Sequence, residues 1–272
     1  MQFKDIIGNN QTKKHLVNSL KQNRLSHSQL FLGKEGSPKL AIAIAFAQYI
    51  SCTNKLKSDS CGQCNSCLKY NLLIHPDLHL VFPVLSIRGI KKVVSDHFVK
   101  EWRREVLNNP YLNLNNWFDL FIEENKSGKT GYIYTQESDK LHEKLLLKHY
   151  ESKHRVVIIW LPEKMQHNTS NKLLKLLEEP PKNTIFLLVS ENKELLLNTI
   201  TSRLQVVKIR GFYEQEKKEI LQKKFPEKKD SEIEKTIKFS NGNLGESICT
   251  LELDFLLEDN LEDFKNWMRL CY

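Results

Sequence analysis

Residues 31–40 read F-L-G-K-E-G-S-P-K-L, and this stretch decides the fold of the chain. An apolar strand runs into a turn with two glycines, and the turn leads into a helix. Proteins with a phosphate-binding loop carry G-x-x-x-x-G-K-[ST] in this context. Gly33 and Lys39 keep the expected separation, but Pro38 stands at the second glycine and Leu40 at the Ser/Thr position. The stretch predicts a nucleotide-binding framework that has lost part of its chemistry.

The replacements act on the groups that hold the nucleotide. A phosphate loop binds through inward-facing backbone N–H groups, and the hydroxyl after the lysine holds magnesium. Proline has no N–H, and leucine cannot ligate a metal. Lys39 could still meet a phosphate as a point charge, so we interpret Gly33, Gly36 and Lys39 as remnants of the loop. The alternative interpretation is an ordinary strand–helix turn with a surface lysine.

The second half of an ATPase site is altered in the same way. Residues 155–160 read R-V-V-I-I-W, which predicts a strand buried on both faces. In a P-loop ATPase such a strand ends in acidic residues that hold magnesium and polarise water. Here Trp160, Leu161 and Pro162 follow, and the one acid, Glu163, lies beyond the proline. We therefore expect no functional ATP or magnesium site and no hydrolysis by this chain.

Length and composition limit the classes of protein to which the chain can belong. A chain of 272 residues with 27% charged and 40% hydrophobic residues is typical of a soluble globular protein of one large or two ordinary domains. No apolar run approaches the roughly 20 residues of a membrane span. The opening residues M-Q-F-K-D-I-I-G do not resemble a signal peptide. The formal charge of +8 suits a partner rich in phosphates or carboxylates, although the basic residues are scattered.

Cysteine spacing gives the clearest chemical signal. Four of the six cysteines, Cys52, Cys61, Cys64 and Cys67, form the pattern C-x8-C-x2-C-x2-C. Two overlapping C-x-x-C steps put three thiolates on one tight turn, and a fourth completes a tetrahedral site that favours structural zinc. A disulfide framework is disfavoured because nothing marks the chain as secreted. An iron–sulfur cluster is the other alternative.

Periodicity predicts the coarse organisation. We expect strands at 28–32, 78–82, 155–160, 185–190 and 204–209, and helices at 9–22, 39–51 and 168–179. Strands that alternate with helices indicate an α/β fold, with a parallel sheet covered on both faces. After residue 210 the pattern changes to Lys/Glu-rich helices. We therefore predict an α/β core over 1–210 and a small all-helical domain over 211–272.

Residues 85–151 form a predicted insertion whose role the sequence does not reveal. Its aromatic residues stand among charged ones: Trp102, Tyr111, Trp117, Tyr132 and Tyr134. Such residues can stack on single-stranded nucleic acid. More often they form the private core of an insertion, and we expect that here. Residues 133–149 are expected to cap and form a helix that packs onto the sheet.

Several motifs together carry a family resemblance. Residues 171–205 contain a helix that ends in L-E-E-P-P, a strand, and a T-x-x-S-R element; F-K-D-I-I-G-N, H-S-Q-L-F-L-G and the four-cysteine module precede them. Over about 1–84 and 152–250 the chain resembles the clamp-loader branch of the AAA+ proteins. The resemblance implies a P-loop-type sheet with an inserted zinc module at about 52–67 and a helical lid. The third, collar domain of the family is absent from these 272 residues, so we expect either a fragment or a different assembly.

The resemblance assigns a role to Ser202 and Arg203. In clamp loaders the matching Ser-Arg-Cys element directs its arginine at ATP bound by the neighbouring subunit, and a guanidinium can stabilise the transferring phosphoryl group. Leu204 replaces the cysteine, and Gly245 stands where motor subunits carry a sensor arginine. The chain is therefore similar to the subunit of the family that does not hydrolyse ATP. We expect Arg203 to act as an arginine finger in trans.

The same resemblance implies the partners. They are the motor subunits (gamma or tau) and the delta subunit of bacterial DNA polymerase III, a sliding clamp, and primed DNA reached through the complex. The expected location is the bacterial cytoplasm, with no membrane association. Two alternatives remain: an ATP-hydrolysing motor subunit with an unusual loop, and a zinc-containing nucleic-acid-binding protein on an inactive AAA+ fold.

Overall fold

The computed structural model of the chain describes residues 1–86, 92–121 and 131–253. The chain divides into two compact units, Met1–Gly211 and a second that begins at Phe212. Parts of the predicted insertion (87–91 and 122–130) and of the predicted lid (254–272) lie outside the described residues. None of the helices in the described ranges has both the length and the apolar character needed to cross a bilayer.

Five parallel strands form the sheet of the described chain. They are β1 (Ser28–Leu32), β2 (Leu78–Val81), β3 (Arg155–Trp160), β4 (Thr184–Ser190) and β5 (Gln205–Lys208). Their spatial order is β2-β3-β4-β1-β5, so β1 lies between β4 and β5. The predicted parallel sheet is confirmed, and no strand end differs from the predicted one by more than one residue.

The helices alternate with the strands and then follow one another. They are α1 (Asn10–Lys21), α2 (Lys39–Ser51), α3 (Asn65–Asn71), α4 (Val99–Asn108), α5 (Leu114–Asp119), α6 (Thr135–Leu146), α7 (His167–Glu178), α8 (Asn198–Thr201), α9 (Glu214–Lys224) and α10 (Asp230–Phe239). Residues 244–253 are also helical. Helix α7 ends before Pro180 because proline disfavours a helical conformation at the residue that precedes it. That residue, Glu179, has φ −124° and ψ 70°.

Helices cover both faces of the sheet. Side chains alternate along β1, so Leu30 packs in one cluster with Leu145 of α6 and Leu173 of α7. Phe31 points to the other face, where its ring lies 6.3 Å from that of Phe46 in α2. All residues of α2 are buried, as expected for a helix that is apolar on every side. The expected α/β architecture with two helical layers is confirmed.

The described part of the second unit, residues 212–253, consists of three helices joined by turns. Its core consists of buried aliphatic side chains from α9, α10 and the helix at 244–253: Leu221, Ile233, Ile237, Leu244, Ile248 and Leu251. The expected small helical unit after the sheet is confirmed for these residues.

The buried tryptophans of the insertion pack against the sheet. Phe82 stacks on Trp102 with 4.8 Å between ring centroids and meets Trp117 edge-on at 5.4 Å. The indole N–H of Trp117 donates to the carbonyl of Pro83 at 2.8 Å. Trp102, Trp117 and Tyr111 are buried, whereas Tyr132 is exposed. These three buried residues are not available to stack on nucleic acid, but the two tryptophans pack against Phe82 after β2 and Trp160 of β3, so their core is shared with the sheet and the expectation of a private core is wrong for them.

A buried carboxyl group joins α6 to the segment that follows β2. Glu137 is 4% exposed, and its Oε2 accepts the N–H of Ser95 at 2.6 Å. Asp96 next to it forms an ion pair with Lys144 at 2.6 Å. Burial raises the pKa of Glu137 to about 7, against the opposing effects of the Ser95 hydrogen bonds and of Lys144.

We expect Glu137 to make stability fall as pH rises. Its pKa is higher in the folded state than in the unfolded chain, so the folded state holds this proton more tightly, and the advantage is lost between about pH 4.5 and pH 7. The free energy of unfolding of Glu137→Gln, relative to that of the wild type, should therefore be about 2–3 kcal/mol higher at pH 8 than at pH 5. Urea unfolding at both pH values measures this. Glu143→Gln, an exposed change on the same helix, is the control; matching pH profiles for wild type and Glu137→Gln would contradict the prediction.

Candidate functional site

The turn after β1 leads into α2 through two glycines. The N–H of Gly33 donates to the carbonyl of Ser190 at 3.2 Å, and a Cβ here would lie 2.5 Å from the Ser37 hydroxyl. Gly36 has φ 69°, a left-handed conformation that glycine adopts without strain. Pro38 caps α2, and its carbonyl accepts the N–H of Ile42. The predicted order of strand, glycine turn and helix is therefore present.

The loop lysine contacts a carboxylate of its own chain. Lys39 is 3% exposed, and its Nζ lies 3.1 Å from Oε1 of Glu191 and 3.2 Å from the carbonyl of Lys34. Glu191 directly follows β4, the neighbour of β1. The interpretation of Lys39 as a surface lysine is thus wrong, because the packing of α2 buries it beside an acid.

A second acid lies behind this pair. The N–H of Glu191 donates to Oε1 of Glu163 at 3.0 Å, and burial raises the pKa of the Glu163 carboxyl against that hydrogen bond. Glu163 therefore holds the backbone of the residue that pairs with Lys39. The one acid left after β3 now supports this ion pair.

A large apolar side chain occupies the end of β3. Trp160 is 1% exposed and packs against Trp102 of the insertion at 6.3 Å between ring centroids. The insertion also reaches the loop, where the Asn113 amide donates to the Glu35 carboxylate at 2.5 Å. Where ATPases place metal-binding carboxylates, this chain has a buried indole.

Arg203 lies at the end of α8 with its side chain 38% exposed. Its Nη1 donates to the carbonyl of Thr199 at 2.7 Å and to the Ser202 hydroxyl at 3.3 Å. Its Nη2 lies 2.5 Å from Oε1 of Glu178, the last residue of α7. Leu204, at the position of the family's cysteine, is buried in the core. The predicted pair Ser202 and Arg203 is thus in contact, and the arginine side chain is partly exposed.

The loop and Arg203 lie at opposite edges of the sheet: the loop at the carboxyl edge, where the strands end, and Arg203 at the amino edge, where they begin. Strands β1 and β5 are parallel neighbours; Gly33 follows the carboxyl end of β1, whereas Arg203 precedes β5, which begins at Gln205. Four paired residues separate the two edges, a distance of roughly 13 Å along a strand. Arg203 is therefore placed away from the loop of its own chain.

The four cysteines of the predicted metal site come together. Their Sγ atoms all lie within 4.8 Å of one another, and three of the separations are 3.6 Å (Cys52–Cys61), 3.8 Å (Cys61–Cys67) and 4.0 Å (Cys64–Cys52). Zn–S bonds of about 2.3 Å in a tetrahedron require about 3.8 Å between sulfurs. The cluster could hold a metal ion, and its sulfur spacing fits zinc.

Backbone N–H groups stabilise negative charge on this cluster. Cys61, Gln63, Cys64 and Cys67 each donate an N–H to a cysteine sulfur at 3.3–3.5 Å. Hydrogen bonds lower the pKa of Cys61 and, against burial, bring that of Cys64 to about 5. Burial raises the pKa values of Cys52 and Cys67, so the stabilisation applies to two of the four thiols. All five cysteines in the described ranges are free thiols. The geometry favours metal-binding thiolates over disulfides.

Two functional candidates, Glu191 and Glu178, were missed in the sequence. Glu191 follows a predicted strand, but its contact with Lys39 depends on β4 lying beside β1, which no local pattern reveals. Glu178 was quoted within L-E-E-P-P, yet its pairing with Arg203 requires two helices to meet. In both cases the residue type was visible and the partner was not.

The architecture defines the class of the protein. A five-stranded parallel sheet of this order, with a loop between β1 and α2 and a helical unit after the sheet, has the fold of an AAA+ module. Among solved structures, the RuvB Holliday junction branch migration motor of Thermotoga maritima has a similar fold: the TM-score is 0.50 at 14% identity, over 90% of this chain and 61% of the RuvB chain.

The family model described as DNA polymerase III, delta subunit, matches residues 8–212, and the chain belongs to this family. The delta′ subunit of DNA polymerase III from Bacillus subtilis is 31% identical over 194 residues, 71% of this chain and 45% of the relative. The tau/gamma subunit from Haemophilus influenzae is 27% identical over 201 residues, 74% of this chain and 22% of the relative. The matches thus span less than half the length of either relative. The chain is a delta′-like member of the clamp-loader family.

Proposed function

We propose that this chain is a clamp-loader subunit that does not hydrolyse ATP and supplies Arg203 to ATP bound by a neighbouring subunit. The observation that carries the proposal is the position of Arg203 at the amino edge of the sheet, opposite its own loop. A partly exposed arginine at that edge lies away from a nucleotide held by its own loop and is accessible to one held by another chain. Its fork of N–H donors suits the γ-phosphate oxygens.

The loop itself supports the absence of hydrolysis. Lys39 already contacts a carboxylate, Pro38 offers no N–H, and Leu40 is buried where a magnesium-binding hydroxyl would stand. Trp160 fills the end of β3. In the second unit, Gly245 is the second residue of the helix at 244–253 and stands in place of the sensor arginine of motor subunits. Each group that would bind or activate the chain's own nucleotide is either replaced by another residue type or paired with another group of the chain.

The proposed partners follow from this role. Motor subunits (gamma or tau) would hold the ATP that Arg203 contacts, and the delta subunit would complete the loader. The complex would open a sliding clamp and close it on primed DNA in the bacterial cytoplasm. Zinc bound by Cys52, Cys61, Cys64 and Cys67 would be structural, since four protein ligands leave no position open for a reacting water.

Nucleotide binding separates this proposal from a motor role. We expect titration with a fluorescent ATP analogue and magnesium to give no saturable binding below about 1 mM, because the loop lacks its metal ligand and Lys39 faces Glu191. A motor subunit with an intact phosphate loop serves as the positive control. Micromolar binding that Lys39→Ala abolishes would instead support the motor alternative.

Replacing the arginine tests the role in trans. In a reconstituted loader, Arg203→Ala should leave assembly intact and lower ATP turnover at the neighbouring site by about 10³-fold, the lower end of the range for an arginine finger. The measurement is DNA-stimulated phosphate release by the whole loader, which should fall by the fraction that the neighbouring site contributes. Arg24→Ala, an exposed arginine just before β1 at the same edge, is the matched control. Unchanged turnover with Arg203→Ala would refute the role.

Metal analysis tests the cysteine cluster. Purified protein should contain one zinc per chain, and Cys64→Ser should lose it and lower the free energy of unfolding by several kcal/mol, because metal binding is coupled to folding. Cys249→Ser, outside the cluster, should retain the metal. A metal-free wild type with full stability would contradict the proposed site.

A further inference from the structure

Helix α7 ends with an acid that faces Arg203. Glu178 is its last residue, and the carboxylate lies 2.5 Å from Nη2 of Arg203. Both side chains are partly exposed, at 45% and 38%. Glu179 follows directly, and within the described chain its carboxylate forms no ion pair. The two neighbouring acids of L-E-E-P-P thus differ in what they contact.

An acid in this position is not explained by helix stability. The carbonyl end of a helix carries partial negative charge, so carboxylates are unfavourable in its last turn. Pro180 fixes the end of α7 and leaves Glu178 in that turn. The cation that compensates Glu178 comes from another element, because Arg203 follows α8. The ion pair therefore fixes the Arg203 side chain as well as offsetting the charge of Glu178 at the helix end.

Three acceptors surround the guanidinium. Two belong to its own turn, the carbonyl of Thr199 and the hydroxyl of Ser202, and the third is Glu178. A guanidinium has five N–H donors. The Nε–H has no acceptor within the described residues. The contacts thus orient the group and leave donors free for phosphate oxygens.

Glu178 and Arg203 lie at the ends of helices that pack in the same hydrophobic core. Leu177, beside Glu178 in α7, belongs to the same buried cluster as Ile200 of α8 and Leu204. Side chains packed in one core keep the backbone ends of α7 and α8 in fixed relation. The Glu178 carboxylate is thus a fixed point for the arginine.

We infer that Glu178 is a positioning residue that holds the Arg203 guanidinium in the orientation needed to meet ATP on the neighbouring subunit. The inference rests on the proposed role of Arg203. A free arginine side chain samples many rotamers, and the ion pair restricts them before the nucleotide is met. Because the pair is exposed it is weak, so phosphate oxygens can compete for the guanidinium without a large penalty.

Turnover in a reconstituted loader tests the inference. Glu178→Ala should lower kcat about two- to five-fold, the range of an exposed ion pair, with KM for ATP nearly unchanged. Glu178→Gln keeps an oxygen acceptor and should recover more than half of the loss. Glu179→Ala, the adjacent acid, should match the wild type. In an Arg203→Ala background, Glu178→Ala should have no further effect, since it acts only through the arginine.

The isolated chain provides a measurement that does not depend on the loader. ¹⁵N relaxation of the Arg203 Nε should show a lower order parameter in Glu178→Ala and no change in Glu179→Ala. Unchanged order and unchanged kcat in Glu178→Ala would overturn the inference, as would a further loss in the Arg203→Ala background. If Arg203→Ala itself left turnover unchanged, the proposed function would fail, and the catalytic use of the pair with it.

Discussion

The burial of α2 along its whole length constrains the rest of the structure. Its one charged residue, Lys39, sits at the amino end beneath the loop, so an anion must accompany it inside the protein. In a phosphate-binding loop the nucleotide would supply that charge. Here the carboxylate of Glu191 provides the negative charge, and the backbone N–H of Glu191 donates to Glu163. The ion pair ties β1, α2, β4 and the end of β3 together at the carboxyl edge of the sheet.

Local patterns in the sequence predicted the elements but not their neighbours. The β-branched and apolar runs identify all five strands because a buried strand needs such residues whichever strands flank it. Strand order depends on pairings between distant segments, so nothing in the sequence places Glu191 beside Lys39. The same limit explains why Lys39 was open to two interpretations. Only tertiary packing decides whether a lysine at a helix start is buried.

The candidate sites differ in predictability for the same reason. The four cysteines lie within one short stretch, so their spacing alone indicates a cluster, and the structure brings the sulfurs together. Arg203 was identified through a family motif rather than through its chemistry. Its partner Glu178 could not be assigned, because an acid in L-E-E-P-P is indistinguishable from a solvated one until α7 and α8 meet. Pairs formed between elements are what sequence reasoning misses.

Under the proposed function, the polarity of the parallel sheet allows the nucleotide site to be lost while Arg203 is kept. The carboxyl edge holds the loop and the ion pair of Lys39, whereas the amino edge holds Arg203 and Glu178. Under the proposed function, the Glu191 carboxylate beside Lys39 takes the place of a nucleotide that binds and leaves, and no bound nucleotide changes the conformation of that edge. Under the proposed function this constancy is useful. A subunit that presents an arginine to its neighbour needs a rigid frame, and the fold of a nucleotide-binding protein still provides one after its own switch is gone.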